Sequence, residues 1–277
     1  MTDDYCMGAL FHAHTFLHKN LTRLKPTDNT EYTVMMTEGT PVTCMDALLA
    51  LGARILIVPM IEPPDGEPMR RYALCFSKLQ MFALDTVYDK IFYTDGDLLY
   101  FTKSPVPEVF QYIDDWHEER EQEGKTDHVT FYGGAKDLLI DTVNAGMLLF
   151  EPSLLDYQKL LELIPMTMGF GDQGTLQEYY RKDGPHPAVY IPSKYNTQWV
   201  MRRTEMKLQE AVGFHHKFLL DDMGSTNFSK TYFHGIPKDI WIYGGYRWSI
   251  LRKVLEEYCL SCRLFKILWT RSESSGI

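Results

Sequence analysis

The feature that most constrains the fold is a repeated alternation of strand-like and helix-like segments in the first third of the chain. Residues 31–37 and 54–59 have the composition of strands, and the helical pattern of residues 42–51 separates them. A second helical pattern ends near residue 86, and the apolar run Ile91-Phe92-Tyr93 follows it. This alternation predicts an α/β fold with a mostly parallel central sheet flanked by helices.

The last of these strands runs directly into the segment Thr94-Asp95-Gly96-Asp97. Side chains two residues apart on an extended chain point the same way, so the two carboxylates can converge, and the glycine leaves room for a ligand. Hard cations such as Mg²⁺ or Mn²⁺ bind one or two carboxylates together with substrate phosphates. Ligands of such sheets bind beyond the carboxyl ends of the strands, so this loop is a candidate metal site. The alternative is a solvated turn.

Composition limits the partners and the size of the fold. The chain has 277 residues, 45% of them hydrophobic, which allows one large α/β domain or two small ones. Its formal net charge of −9 argues against nucleic acid as a partner. We assign residues 1–245 to a single domain and residues 246–277 to a C-terminal amphipathic helical extension.

The five cysteines predict reduced thiols. Cys6, Cys44 and Cys75 are scattered, and an odd number of scattered cysteines is not typical of a disulfide framework. Cys259 and Cys262 have the spacing of half a zinc site, but no second pair stands at ligand spacing. We therefore do not expect zinc.

Two further blocks carry amides and an acid suited to binding a sugar. Asn144 and Gly146 precede a buried strand, where an amide can bond sugar hydroxyls through both its donor and its acceptor. The alternative for this block is a turn. Asp172 and Gln173 stand at a predicted helix start, where N-capping by Asp172 is the alternative.

Three cationic or imidazole side chains complete the set. His234 offers an imidazole to a metal, and Lys238 offers a cation to a diphosphate. Lys78 interrupts a helix that is otherwise apolar enough to be buried. Taken singly, His234 and Lys238 are more often surface groups.

In this order, the blocks resemble the family 8 glycosyltransferases, the group that contains glycogenin and galactinol synthase. The resemblance runs from Asp4-Tyr5 to Lys238-Asp239-Ile240-Trp241 and includes the Asp-x-Asp loop, the Asn-Ala-Gly strand, the Asp-Gln-Gly helix start and the His-Gly-x-x-Lys run. It implies the GT-A fold, a Rossmann-like architecture that binds nucleotide-diphosphosugars, and a UDP-sugar donor.

The resemblance also implies roles for individual residues. The metal, Mn²⁺ or Mg²⁺, would be held by Asp95, Asp97 and His234. Asp172 and Gln173 are the catalytic candidates. The donor would contact Tyr5, Lys78, Asp95, Asn144, Gly146, Asn196, Gly235 and Lys238.

The implied function is that of a metal-dependent retaining glycosyltransferase that moves a hexose from a UDP-sugar to a hydroxyl acceptor. The acceptor would be a carbohydrate, a polyol or a glycan, as in a galactinol synthase-like or a glycogenin-like enzyme. The alternative is a non-catalytic sugar-nucleotide-binding protein with an incomplete donor pocket. This alternative arises because the family opens with an apolar strand, and Met1-Thr2-Asp3 stands in its place here, so we expect a truncated first strand.

Two hypotheses concern larger partners. The basic and amphipathic residues 258–269 suggest weak contact with a membrane surface, although packing against the domain is the favoured use. A homodimer is the second hypothesis. A cytoplasmic location is favoured, with the Golgi lumen as the alternative if the N-terminus is truncated.

Overall fold

The computed structural model describes residues 3–62, 75–96, 98–100, 103–125, 129–137, 140–167, 171–198 and 212–215. Its α-helices in this part of the chain are α1 (Asp3–Leu17), α2 (Val42–Ala50), α3 (Val106–Gln122), α4 (Leu154–Leu163) and α5 (Gly171–Tyr179). Its strands there are β1 (Thr33–Thr37), β2 (Arg54–Val58), β3 (Ile91–Thr94), β4 (Leu98–Tyr100), β5 (Tyr132–Ala135), β6 (Met147–Phe150), β7 (Val189–Ile191), β8 (Thr197–Gln198) and β9 (Gly213–His215).

The strands pair in three groups. β1 and β2 are parallel, as the strand-helix-strand order predicts. The second group has the order β3-β6-β5-β7, in which β6 runs antiparallel to β3 and β5, while β5 and β7 are parallel. In the third group, β9 lies between β4 and β8. The α/β architecture is therefore confirmed, and its sheet is mixed near β3 because β6 returns in the opposite direction.

A 3₁₀ helix at Cys75–Ala83 forms the segment that contains Lys78. Such a helix completes a turn every three residues, so Phe76, Leu79 and Phe82 share one face. All three side chains are fully buried in the largest hydrophobic cluster. The sequence predicts a helix here, and the three-residue spacing of these apolar side chains places them on the buried face of the 3₁₀ helix. Burial of that face fixes the backbone that carries Lys78.

Helix α1 packs against the strand that leads into the acidic loop, residues 95–97. His12 Nε2 lies 2.7 Å from Thr94 Oγ1, and His12 Nδ1 lies 3.0 Å from the Tyr32 hydroxyl. A Cβ atom added to Gly8 would lie 3.3 Å from the Gly96 carbonyl oxygen. The helix backbone therefore approaches the loop closely, and α1 forms one wall beside it.

We expect His12 to make folding stability sensitive to acid. Burial lowers the pKa of His12 from 6.5 to about 4, so the ring is neutral in the folded chain. The unfolded chain binds more protons between these two pH values, so the free energy of unfolding decreases as the pH falls through this window. The decrease from this group approaches about 3 kcal/mol at pH 4.

Urea unfolding of the wild type and of His12→Gln at several pH values measures this contribution. The glutamine cannot titrate, so its stability should decrease less between pH 6.5 and pH 4. His186→Gln, which replaces another half-buried histidine, is the control. Equal pH slopes for His12→Gln and the wild type would contradict the expectation.

The structure pairs two of the cysteines that the sequence predicts to be reduced. Cys6 in α1 and Cys44 in α2 form a disulfide across 38 residues, with their Cα atoms 5.8 Å apart. Both side chains are buried in the hydrophobic cluster shared by the two helices. The prediction of reduced thiols is wrong for this pair, because sequence spacing does not reveal that α1 and α2 pack side by side.

The predicted C-terminal extension, residues 246–277, lies outside the described ranges. Its two cysteines, Cys259 and Cys262, lie there with it. Across the described ranges, no helix combines the length and the apolar character that a membrane crossing requires.

Candidate functional site

The candidate site lies at the carboxyl end of β3. Asp95 is the first residue after the strand, and its backbone N–H donates to the Gly146 carbonyl at 2.8 Å, which continues the pairing of β3 with β6. The Leu98 N–H donates to the Asp95 carbonyl at 3.0 Å and closes a turn. The structure thus brings two of the predicted site residues, Asp95 and Gly146, next to each other.

Lys78 joins the two acidic parts of the site. Its Nζ atom lies 3.2 Å from Asp95 Oδ1 and 3.0 Å from Asp172 Oδ2. It also donates to the Ala145 carbonyl at 3.1 Å. An ammonium has three N–H donors, which matches these three acceptors. The Lys78 and Asp172 side chains are 11% and 6% exposed, so the pair is largely removed from water.

Burial and charge act differently on the two carboxylates. Burial would raise the pKa of Asp95, but Lys78, His215 and the Tyr93 hydroxyl outweigh it and hold the pKa below its usual value. Burial raises the pKa of Asp172; Lys78 opposes this increase and Asp95 adds to it. Asp95 is therefore ionised near neutral pH, whereas the ionised form of Asp172 is less favourable than in water.

The lysine itself stays charged. Burial would lower the pKa of Lys78, but Asp172 and Asp95 raise it well above 10.5. The cluster therefore holds one buried cation between two acids.

One carboxylate oxygen of Asp172, Oδ2, lacks the hydrogen bonds that a buried oxygen normally accepts. The residue lies in the first turn of α5, one position after its first residue, Gly171. Its Oδ2 atom is buried and, apart from the ion pair with Lys78, accepts no hydrogen bond from the described residues. A buried carboxylate oxygen in this state is costly, so it suits contact with a donor or a positive centre on a ligand.

The Asn144 amide is largely committed to internal hydrogen bonds. Its Nδ2 donates to Asp137 Oδ2 at 2.6 Å, and its Oδ1 accepts from the Gly146 N–H at 3.2 Å and from Asn196 Nδ2 at 3.0 Å. An amide oxygen has two acceptor sites, and both are occupied. The sequence suggests that this amide bonds a sugar through both its donor and its acceptor, but only an N–H remains for a sugar.

Gln173 connects the same network to α5. Its Oε1 accepts from the Ala145 N–H at 2.9 Å, and its Nε2 donates to Asp137 Oδ2 at 3.3 Å. The structure therefore brings Gln173 into contact with Ala145, and it links Asp172 to the same residue through Lys78.

Glycine at position 146 is required by packing. A Cβ atom there would lie 2.2 Å from His215 Cε1, closer than any real contact. The buried His215 ring covers this position, and its Nδ1 lies 3.0 Å from Asn196 Oδ1. Gly146 and Asn196 thus both lie beside Asn144, and their role in donor binding stays a prediction.

The sequence reasoning missed Asp137 and His215. Asp137 stands in a polar segment without a motif, and its contacts with Asn144 and Gln173 arise only from the fold. His215 ends the short apolar run of residues 212–214, which was the one available signal.

The remaining site residues lie outside the described part of the chain. They are Asp97, His234, Gly235, Lys238 and the side chain of Tyr5. Within the described part, no three histidine, cysteine, aspartate or glutamate side chains are grouped to hold a metal ion. The metal set of Asp95, Asp97 and His234 therefore stays a prediction.

The chain is similar in sequence to a plant enzyme. It is 30% identical over 181 residues to galactinol synthase 6 of Arabidopsis thaliana, and the match covers 56% of this chain. The matched region spans about half of the relative, 51% of its length. No model of a protein family matches the sequence.

Two solved structures are similar to this fold. A crystal structure of the galactosyltransferase LgtC in complex with donor and acceptor sugar analogues gives a TM-score of 0.52 at 17% identity, covering 78% of this chain and 84% of that one. The apo structure of the bifunctional glycosyltransferase WbbM gives a TM-score of 0.51 at 11% identity, covering 78% of this chain and 44% of that one. The chain therefore has the GT-A glycosyltransferase fold and, as its motifs predict, resembles the family 8 glycosyltransferases.

Proposed function

We propose that this chain is a metal-dependent retaining glycosyltransferase that moves a hexose from a UDP-sugar to a hydroxyl acceptor. The observation that carries the proposal is the cluster in which Lys78 links Asp95 and Asp172 at the carboxyl end of β3. Ligands of α/β sheets bind at this edge. The similarity to galactinol synthase 6 supports a hexosyltransferase.

Asp95 suits a divalent cation on the donor side. Its pKa is lowered, chiefly because Lys78 outweighs the effect of burial, so a carboxylate is present at neutral pH. Both side-chain hydrogen bonds that the described residues make to Asp95 end on Oδ1, which leaves Oδ2 with the capacity to bind a cation. We assign Mn²⁺ or Mg²⁺ to Asp95, Asp97 and His234. A cation bound there would stabilise negative charge on the departing diphosphate.

The remaining cluster suits the sugar. When the bond between the sugar and the diphosphate breaks, positive charge develops on the sugar ring. The buried Asp172 carboxylate is preorganised to stabilise that charge, because Lys78 and α5 hold it in place. Gln173 and the remaining N–H of Asn144 orient the sugar through its hydroxyls. Tyr5, Gly235 and Lys238 are assigned to the nucleotide and diphosphate.

Donor hydrolysis tests this proposal. The full chain is incubated with Mn²⁺ and a panel of UDP-sugars, and release of UDP is measured. We expect release with at least one donor and a decrease of about 100-fold or more in Asp97→Asn, because a metal ligand is lost. Asp114→Asn, which removes an aspartate paired with Lys90 on the surface of α3, should leave the rate unchanged.

Two results would contradict the proposal. Binding of a UDP-sugar without turnover would support the sugar-nucleotide-binding alternative instead. Absence of both binding and turnover across the panel would exclude a UDP-sugar function. With a carbohydrate or polyol acceptor, the anomeric configuration of the product, read from proton coupling constants, tests retention.

A further inference from the structure

The His12 ring bonds to the residues on both sides of the acidic loop. Its Nε2 atom lies 2.7 Å from the hydroxyl of Thr94, the residue directly before the loop. Burial lowers the pKa of His12, and a hydrogen bond with the backbone of Leu98, the residue directly after the loop, opposes that decrease. A bond that favours the charged ring runs from a ring N–H to the carbonyl, because an imidazolium has only donors. One side chain therefore connects the two ends of the loop.

The ring is also held from its other sides. Its Nδ1 atom lies 3.0 Å from the Tyr32 hydroxyl, and its centroid lies 4.9 Å from that of Phe16 and 6.4 Å from that of Tyr100. In a neutral imidazole one nitrogen donates and the other accepts, and a hydroxyl can do either, so the bonds to Thr94 and Tyr32 form together. The side chain is buried, so water competes little for these bonds. His12 is therefore a rigid contact for the loop.

The same face of α1 holds the middle of the loop. Gly8 precedes His12 by four residues, so the two positions lie one above the other on the helix. A Cβ atom at Gly8 would lie 3.3 Å from the Gly96 carbonyl oxygen. On the side of β6, the Asp95 N–H donates to the Gly146 carbonyl at 2.8 Å. The backbone around Asp95 is thus fixed by both α1 and β6.

We propose that His12 is a positioning residue that fixes the acidic loop, so that Asp95 presents Oδ2 to the divalent cation. This inference rests on the proposed function, because that function assigns a cation to Asp95. Both ring nitrogens contact protein hydroxyls, those of Thr94 and Tyr32, so His12 acts through the loop and not as a ligand. A carboxylate that is held in place before the cation arrives loses less conformational freedom on binding.

Mn²⁺ binding to the full chain tests this inference through both partners of the contact. Electron paramagnetic resonance measures the affinity for Mn²⁺ alone in the wild type, in Thr94→Val, in His12→Leu and in the double variant. Valine keeps the branched shape of threonine and removes only the hydroxyl. We expect each single variant to weaken Mn²⁺ binding about 10-fold. The double variant should bind no more weakly than His12→Leu, because both changes break the same contact.

Two further variants separate positioning from a general loss of packing. Thr94→Ser keeps the hydroxyl, so it should bind Mn²⁺ like the wild type. Thr130→Val is the matched control, because it removes a half-buried hydroxyl that donates to Asp156 Oδ2 at 2.7 Å instead. Urea unfolding of each variant shows how much stability is lost, and Thr130→Val should lose stability without losing Mn²⁺ affinity.

Wild-type Mn²⁺ affinity in a folded Thr94→Val variant would overturn the inference, even if His12→Leu does not fold. Losses that multiply in the double variant would also overturn it, because the two side chains would then act separately. UDP-sugar turnover by a wild type whose Mn²⁺ affinity is insensitive to both changes would reject this inference alone. Mn²⁺ binding that depends on His12 and Thr94 in a chain without turnover would reject the proposed function alone.

Discussion

Replacing Lys78 with methionine is expected to reduce both transfer activity and stability. The methionine keeps most of the side-chain volume but removes the cation that lies between Asp95 and Asp172. Removing one partner of a buried ion pair leaves an uncompensated charge, which costs about 3 to 5 kcal/mol. The two acids would then repel each other at the reacting centre, and we expect turnover to fall about 100- to 1000-fold.

The measurement is a pair of experiments on the same protein preparations. Urea unfolding gives the free energy of unfolding, and UDP release gives the turnover. Lys90→Met is the matched control, because Lys90 pairs with Asp114 on the surface, where such pairs contribute about 1 kcal/mol or less. A folded Lys78→Met variant with wild-type turnover would exclude Lys78 from the site.

Asp172→Asn is expected to separate activity from stability. The raised pKa of Asp172, which burial causes, means that its ionised form is less favourable in the folded chain than in water. An amide removes that unfavourable charge, so we expect unchanged or increased stability at neutral pH. It also removes the charge that would stabilise the sugar, so turnover should fall about 100- to 1000-fold.

The pH dependence gives this expectation a second readout. The folded pKa of Asp172 is higher than its usual 3.8, so the folded state binds the proton more tightly. The contribution of Asp172 to stability therefore decreases as the pH rises from 3.8 through the raised pKa, and Asp172→Asn should lack this decrease. Asp141→Asn, at a side chain that is 69% exposed, is the control. Marked destabilisation of Asp172→Asn at pH 7, or retained turnover, would contradict the expectation.

Two of the site residues that the sequence predicts stand at the ends of regular elements. Asp95 follows strand β3, and Asp172 lies in the first turn of α5, so topology alone brings them to one edge of the sheet. Strand β5, Tyr132–Ala135, contains two glycines, a composition that resembles a turn rather than a strand. Those glycines are needed in the sheet, since a Cβ at Gly133 would lie 2.6 Å from the Val189 carbonyl.

The features that the sequence did not reveal depend on contacts between distant segments. His215 reaches the site through pairing of β9 with β4, and Asp137 reaches it through Asn144 and Gln173. Neither residue belongs to a periodic pattern or a spaced motif. Such contacts follow from the fold and cannot be read from local residue order.

The Cys6–Cys44 bridge makes the reagents used to prepare the protein an experimental variable. Peptide-bond cleavage between these two cysteines would not release a fragment until a thiol is added, so gels run with and without reductant should differ. The bridge ties α1 to α2, and α1 lies against the acidic loop. Dithiothreitol in an assay buffer would therefore loosen α1 where it lies against the acidic loop. Affinities for a UDP-sugar that are measured with and without dithiothreitol are then not interchangeable.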